Sequence, residues 1–262
     1  MGTIQNQNIS NRQYTHPEAL VNTDWIAQHL NDPNVRIIES NEDVSLYDTG
    51  HIPGAVHVDW HKDLNDQTIR DYLDPEEFAA LASQIGITQE TALVFYGDKS
   101  NWWACYTLWV FALFGHKDLR ILDGGRDKWI AEGRPVTKDK PTYPQTKYPV
   151  PAERDDHTIR AFFDDTLAHS KARKPLIDVR SPAEFKGEIT YPAEYPQRAR
   201  FVVGMFRGQR MSCGKWQPTT TAHSNPERNS KGFMRKISAI RRTATQSFTA
   251  GSANVRVTPG SY

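Results

Sequence analysis

The chain has little to cross-link it and nothing long enough to carry it through a bilayer. Cys105 and Cys213 are the only cysteines among its 262 residues. Two thiols cannot build a disulfide scaffold, which points to a reducing, cytoplasmic setting. No run approaches the ~20 consecutive apolar residues of a spanning helix, so no membrane partner is expected. The start, Met1 to Ser10, is polar and offers no apolar signal stretch. Gly2 invites a myristoyl group, but Asn6 stands where Ser or Thr is wanted.

Acid is the scarcest thing in the last quarter. After Gln197, residues 198–262 hold one carboxylate, Glu227, against twelve Lys and Arg. Of the 32 basic and 31 acidic residues in all, 20 and 30 lie upstream. The formal net charge of +1 is thus about −10 before the break and +11 after it. The tail is rich in Ser, Thr, Arg and Pro with weak periodicity, and is expected to be disordered. Its aromatics, Phe201, Phe206, Trp216 and Phe233, sit among the basic residues as in single-strand binders. The charges are scattered, however, and no nucleic-acid fold motif is present, so no nucleic-acid partner is expected.

Upstream, strand and helix signals alternate. A helix is expected over Trp25 to Leu30, capped by Thr23 or Asp24, and a strand over Val35 to Glu39. Asp74 caps a helix that opens Pro75-Glu76-Glu77 and runs to Ile85. Thr91 to Tyr96 reads as a buried strand, Asn101 to Phe114 as an apolar helix closed by Gly115, Leu119 to Leu122 as a strand and Gly125 to Glu132 as a helix. Such alternation predicts an α/β domain with a mainly parallel sheet flanked by helices. Prolines at 135, 141, 144 and 149 predict an extended, semi-rigid linker. Beyond it, Arg154 to Ser170 reads as a helix with Ile159, Phe162, Phe163 and Leu167 on one face, and Lys174 to Val179 as a strand. Ser181 is placed to cap a further helix.

Tyr47-Asp48-Thr49-Gly50-His51-Ile52-Pro53-Gly54-Ala55-Val56-His57-Val58 is the sharpest motif. Its residues alone predict a tight turn, with Pro53 near φ −65° and Gly54 at positive φ. The segment also resembles the amino-terminal signature of the rhodanese family. Val94-Phe95-Tyr96-Gly97-Asp98, Leu122-Asp123-Gly124-Gly125-Arg126-Asp127-Lys128-Trp129 and Asp178-Val179-Arg180-Ser181 extend the likeness over residues 20 to 197. The closest likeness is to two-domain bacterial thiosulfate sulfurtransferases. It implies tandem rhodanese-like domains. The boundaries are a polar segment 1–19, a non-catalytic domain 20–136, a linker 137–153, the start of a catalytic domain 154–197, and the tail 198–262.

In that family a Cys thiolate at a strand end, cradled by loop amides and a helix N-terminus, takes the outer sulfur of the donor. The matching loop of the first domain, Gly97-Asp98-Lys99-Ser100-Asn101, has no thiol, and the Asp98 carboxylate would repel thiosulfate. Cys105 reads as a packed core thiol. The likeness places Asp178 and Arg180 near the active-site mouth as substrate-binding residues.

The likeness stops at Gln197, where a second His-x-Pro-Gly-Ala motif is due. One base missing at the Gln197/Arg198 junction accounts for this. Gly204 to Gln209 back-translates as GGC-ATG-TTC-CGG-GGG-CAA, which reads Gly-His-Val-Pro-Gly-Ala in the shifted frame. Ser247 to Arg256 is compatible with Ile-Val-Tyr-Cys-Arg-Ile-Gly-Glu-Arg-Ser, the family's catalytic loop. Ala250 then occupies the nucleophile slot. The chain as written is expected to be inactive, with no cofactor and no metal, while its parent acts on thiosulfate and on cyanide or a thiol acceptor. Mercaptopyruvate as donor, or a non-catalytic interaction module, are the alternatives. Cys213 is not expected to substitute for the lost nucleophile.

Overall fold

The computed structural model describes residues 16–69, 71–189 and 210–211. The chain divides after Arg154 into two units. The first carries, in order, β1 (Leu20–Val21), α1 (Thr23–Gln28), β2 (Val35–Glu39), α2 (Leu46–Thr49), β3 (Val56–His57), α3 (Pro75–Gln84), β4 (Ala92–Tyr96), α4 (Trp102–Leu113), β5 (Leu119–Leu122) and α5 (Gly125–Ala131). Its five strands form one sheet in the order β1-β5-β4-β2-β3, and every neighbouring pair is parallel.

The centre of that sheet is a pair of strands buried along their whole length, β4 apolar throughout and β2 apolar except for Arg36 and Glu39. β2 and β4 pair residue for residue from Val35 with Ala92 to Glu39 with Tyr96, and every residue of both is buried. Strands buried along their whole length belong in a parallel sheet covered on both faces. Alternate side chains serve alternate faces. Ile37, Val94 and Tyr96 join Ile26 of α1, Leu122 of β5 and Trp129 of α5 in one core. Phe95 meets Phe111 of α4, which meets Phe78 of α3 edge-on at 5.0 Å between ring centroids.

The helix ends show how local chemistry sets the boundaries. Asp74 accepts from the Glu77 amide at 2.8 Å while the Glu77 carboxylate accepts from the Asp74 amide at 2.9 Å, a reciprocal capping box. At α1 the cap is Asn22, whose side chain accepts from the Trp25 amide at 2.7 Å, rather than Thr23 or Asp24. Gly115, at φ 77°, follows α4 as expected.

Residues 137–153 have no helix and no ladder strand, as their prolines dictate, yet they are not a free spacer. Thr137 exchanges two backbone hydrogen bonds of 2.8 Å with His51. The Tyr143 hydroxyl donates to the Gly54 carbonyl at 2.7 Å. The Thr146 hydroxyl donates to the Ile87 carbonyl, and the Tyr148 amide to the Ser83 hydroxyl at 2.9 Å. Arg154 pairs with Asp71 at 3.0 Å. The segment is a strap fastened to the first unit along its length.

The second unit carries α6 (Phe163–Lys171), β6 (Ile177–Asp178), α7 (Pro182–Lys186) and β7 (Arg210–Met211). The helix expected from Arg154 begins only at Phe163. Upstream of it the Asp155 carboxylate accepts the Thr158 amide at 2.8 Å in a local turn, and Phe162 is extended, its amide donating to Asp165. Phe162 and Phe163 are exposed, and Thr166 and His169 face inward instead. The strand expected over Lys174 to Val179 shrinks to two residues. It does have a sheet neighbour: β6 pairs in parallel with β7, inside the stretch expected to be disordered. Replacing Asp74 by Ala removes one half of the box at α3 and is expected to cost about 1 kcal/mol, read as a lower urea midpoint with unchanged slope.

Candidate functional site

In an open parallel sheet the strand C-termini collect the loops that carry function. In the first unit that edge is built around β4. Gly97 follows it because any Cβ there would stand 2.1 Å from the Ser40 carbonyl oxygen. The next residues, Lys99, Ser100 and Asn101, take positive φ values of 47°, 57° and 65°, an arch that leads into α4. Asn101 holds the arch shut. Its side-chain oxygen accepts from the Gly97 amide at 2.9 Å and its nitrogen donates to the Leu122 carbonyl at 2.7 Å.

Asp98, expected to face an incoming anion, is committed elsewhere. It is buried, and its carboxylate accepts the backbone amides of Glu42 at 2.7 Å and Asp43 at 3.2 Å. The residue at this strand end therefore clamps the loop after β2. Cys105 is partly exposed on α4 rather than packed in the core.

Beneath the arch lies a buried ion pair. Glu39, at the end of β2, is fully buried. One carboxylate oxygen accepts from the Tyr96 hydroxyl; the other accepts from Asn41 at 2.5 Å and from Arg126 at 3.2 Å. Burial pushes the Glu39 carboxyl up, against the Tyr96 and Asn41 hydrogen bonds and the Arg126 charge. Arg126 also donates to the Leu46 carbonyl and the Thr49 hydroxyl. The Tyr96 oxygen in turn accepts the Ile52 amide at 3.0 Å. This is how the Tyr47 to Val58 segment is seated. Within it the Tyr47 hydroxyl donates to the Ala55 carbonyl at 2.8 Å, and Gly54 takes φ 79°, as the turn requires. The motif is structural scaffolding. Its partners Glu39 and Arg126 were not singled out from sequence, although an acid directly after Ile37-Ile38 in a short buried strand was a usable signal.

In the second unit, Asp178 and Arg180 are brought together. Arg180 grips Asp178 with two nitrogens, at 3.1 and 2.7 Å, and its backbone amide adds a bond of 3.0 Å. Burial raises the Asp178 carboxyl, but the Arg180 hydrogen bonds and charge outweigh it and hold it below the usual range. Ser181 caps α7 in a box with Glu184. Ala250 and Cys213 lie outside the described residues. Among the described residues no group of three or more His, Cys, Asp or Glu is placed to hold a metal.

The rhodanese-like domain family model matches residues 22–132, within the first unit. The sulfur carrier protein TtuD of Thermus thermophilus is 49% identical over 201 residues, covering 75% of this chain and 70% of that protein. The chain belongs to the rhodanese family. A putative thiosulfate sulfurtransferase, SseA of Mycobacterium tuberculosis, is 55% identical over 191 residues, which are 73% of this chain and 64% of its own length. This rhodanese chain therefore spans less than two thirds of that relative. Among solved structures, the 3-mercaptopyruvate sulfotransferase SseA of Escherichia coli superposes with a TM-score of 0.61 at 25% identity, covering 74% of each chain. The expected α/β fold, a parallel sheet flanked by helices, agrees with these matches.

The Glu39–Arg126 pair makes a sharp expectation. Arg126→Leu leaves a buried carboxylate without its cation and is expected to cost ~3–5 kcal/mol in chemical denaturation, and adding Glu39→Gln should return part of that loss.

Proposed function

We propose that the chain derives from a thiosulfate sulfurtransferase whose reading frame is lost near Gln197. The observation that carries this is the 55% identity over 191 residues to a protein named as a putative thiosulfate sulfurtransferase. The match takes in 191 residues, and 197 precede the change in charge.

In the parent reaction a cysteine thiolate attacks the outer sulfur of thiosulfate. A new S–S bond forms, the S–S bond of the donor breaks, and sulfite leaves with the electron pair. Cyanide or another thiophile then takes the sulfane sulfur, and the thiolate returns. Arg180 supplies positive charge at the end of β6, and Asp178 orients it. A dianionic donor gains more from that charge than singly charged mercaptopyruvate does. The Escherichia coli likeness keeps mercaptopyruvate as the second donor to assay. In the present chain Ala250 stands in the nucleophile slot and cannot carry a persulfide. The first unit, with no thiol in its arch, serves as the non-catalytic partner domain. Small-molecule donors and acceptors, rather than nucleic acid or membrane, are the assigned partners, in the cytoplasm.

The test is a one-base insertion at the Gln197/Arg198 codons. The unaltered chain is expected to give no thiocyanate from thiosulfate and cyanide. The repaired chain should turn over, and should lose turnover when its restored Cys is replaced by Ser. In the repaired protein Arg180→Ala is expected to lower kcat/KM for thiosulfate about 10- to 100-fold, the loss of ~1.5–3 kcal/mol from a charged hydrogen-bond donor. An inactive repaired chain would sink the reading.

A further inference from the structure

The strap that closes the first unit ends at a buried histidine. His116, in the turn between α4 and β5, is 5% exposed, and so is Tyr148 of the strap. The ring uses both nitrogens. Nε2 lies 2.8 Å from the Thr91 carbonyl oxygen and Nδ1 lies 3.0 Å from the Tyr148 hydroxyl. A carbonyl oxygen only accepts, so Nε2 carries the proton. Nδ1 of the neutral ring then accepts, and the Tyr148 hydroxyl donates to it.

That arrangement satisfies every group only while the ring is neutral. A second proton on Nδ1 turns it into a donor. The Tyr148 oxygen would have to accept, and its own proton would be left pointing into a buried site walled by Phe78, whose ring stands edge-on to Tyr148 at 5.6 Å. Leaving a buried donor unpaired is costly. Tyr148 cannot relieve the conflict by ionising, because burial pushes its hydroxyl up to about 12.

We propose that the His116–Tyr148 pair is an acid-sensitive latch: protonation of His116 frees residues 143–148 from α3 and the loop that follows it, while the sheet itself stays formed. The strap's other fastenings are few enough for this. They are the Thr146 amide to the Ser83 carbonyl at 3.1 Å, the Thr146 hydroxyl to the Ile87 carbonyl, the Tyr148 amide to the Ser83 hydroxyl, the Tyr143 hydroxyl to the Gly54 carbonyl, and the Arg36 guanidinium over the Tyr143 ring, 3.1 Å from its centroid. The charged groups that act on the ring are Asp118 and Glu90, both acids, and both favour the proton. Burial opposes them and prevails, holding His116 below its ordinary value of 6.5. The direction of the pH dependence follows. The unfolded ring binds a proton more readily than the folded one. The latch's contribution is whole above about pH 6.5 and is lost as pH falls below it, towards the lowered folded value.

Hydrogen exchange of the full chain, read by mass spectrometry at about pH 7.5 and about pH 5.5 and corrected for intrinsic rates, tests this. Protection of the strap peptide covering 143–148 is expected to fall about tenfold at the lower pH, while β4 stays protected. Tyr148→Phe should leave the strap weakly protected at both pH values, with no further drop. Equal wild-type strap protection at the two values overturns the proposal. So does a Tyr148→Phe chain that keeps the wild-type pH dependence, or a strap that loses protection only together with β4.

Discussion

The first unit is organised around one carboxylate that water cannot reach. Glu39 ends β2, beside the central strand β4, and its two oxygens collect Tyr96 from β4, Arg126 from α5 and Asn41 from the following loop. Burying an ion pair gains little stability by itself, because desolvation consumes most of the Coulombic attraction. What it gains here is position. A carboxylate at 0% exposure tolerates no misplacement of its partners, so it fixes where α5 meets the sheet and where the turn at Ile52 sits. The arch over residues 97–101 is built on that foundation through the Arg126 amide, which donates to the Gly97 carbonyl at 3.0 Å.

The two units solve the same electrostatic problem in different ways. Each has an acid at the end of an early strand. Glu39 is neutralised by an arginine 87 positions away in sequence, and both side chains are buried. Asp178 is neutralised by Arg180, two positions away, whose side chain is 37% exposed. The first arrangement locks a scaffold and leaves no cation for a ligand. The second keeps a guanidinium at the surface, oriented but still able to meet an anion. Asp98 tells the same story. It is spent on the Glu42 and Asp43 amides, so the strand-end position that could face a ligand is used to hold the fold together.

The sequence was most readable where one kind of interaction dominated. β4 is a continuous apolar run, β2 is buried along its whole length, α4 is mostly apolar, and Asp74-Pro75-Glu76-Glu77 writes its own helix start; all four sit where they were expected, give or take a residue. It was least readable where distant side chains decide. The proline content of 137–153 announced an extended segment, but Tyr143, Thr146 and Tyr148 reach carbonyls and hydroxyls that no local pattern reveals. The start of α6 was misplaced for a related reason: Asp155 offers its amides a local turn, and that competes with helix across Ile159 and Phe162. Asn22 outranked Thr23 as a cap because a side chain one residue earlier reached the Trp25 amide. Asp178 and Arg180 could be named from the family likeness though not as an ion pair, whereas the locking roles of Asn101 and Arg126 needed the loop geometry.

The contrast between the units bears on how the proposed frame loss would act. A rhodanese sheet in the first unit has five strands, with its central pair covered on both faces. Among the described residues of the second unit, one two-residue pairing is present, and Ile177, Val179, Phe162 and Phe163 are all more than 40% exposed. Two residues of ladder cannot offset the backbone entropy of ordering a strand; that requires the apolar burial a whole sheet provides. The first unit has its own core, its own buried ion pair and a strap that closes back on it. A frame loss after Gln197 therefore strikes the unit that carries Asp178 and Arg180 while sparing the one that carries the family signature. The signature loop is thus a poor indicator of activity in such a chain, because it reports a folded scaffold rather than a completed nucleophile loop.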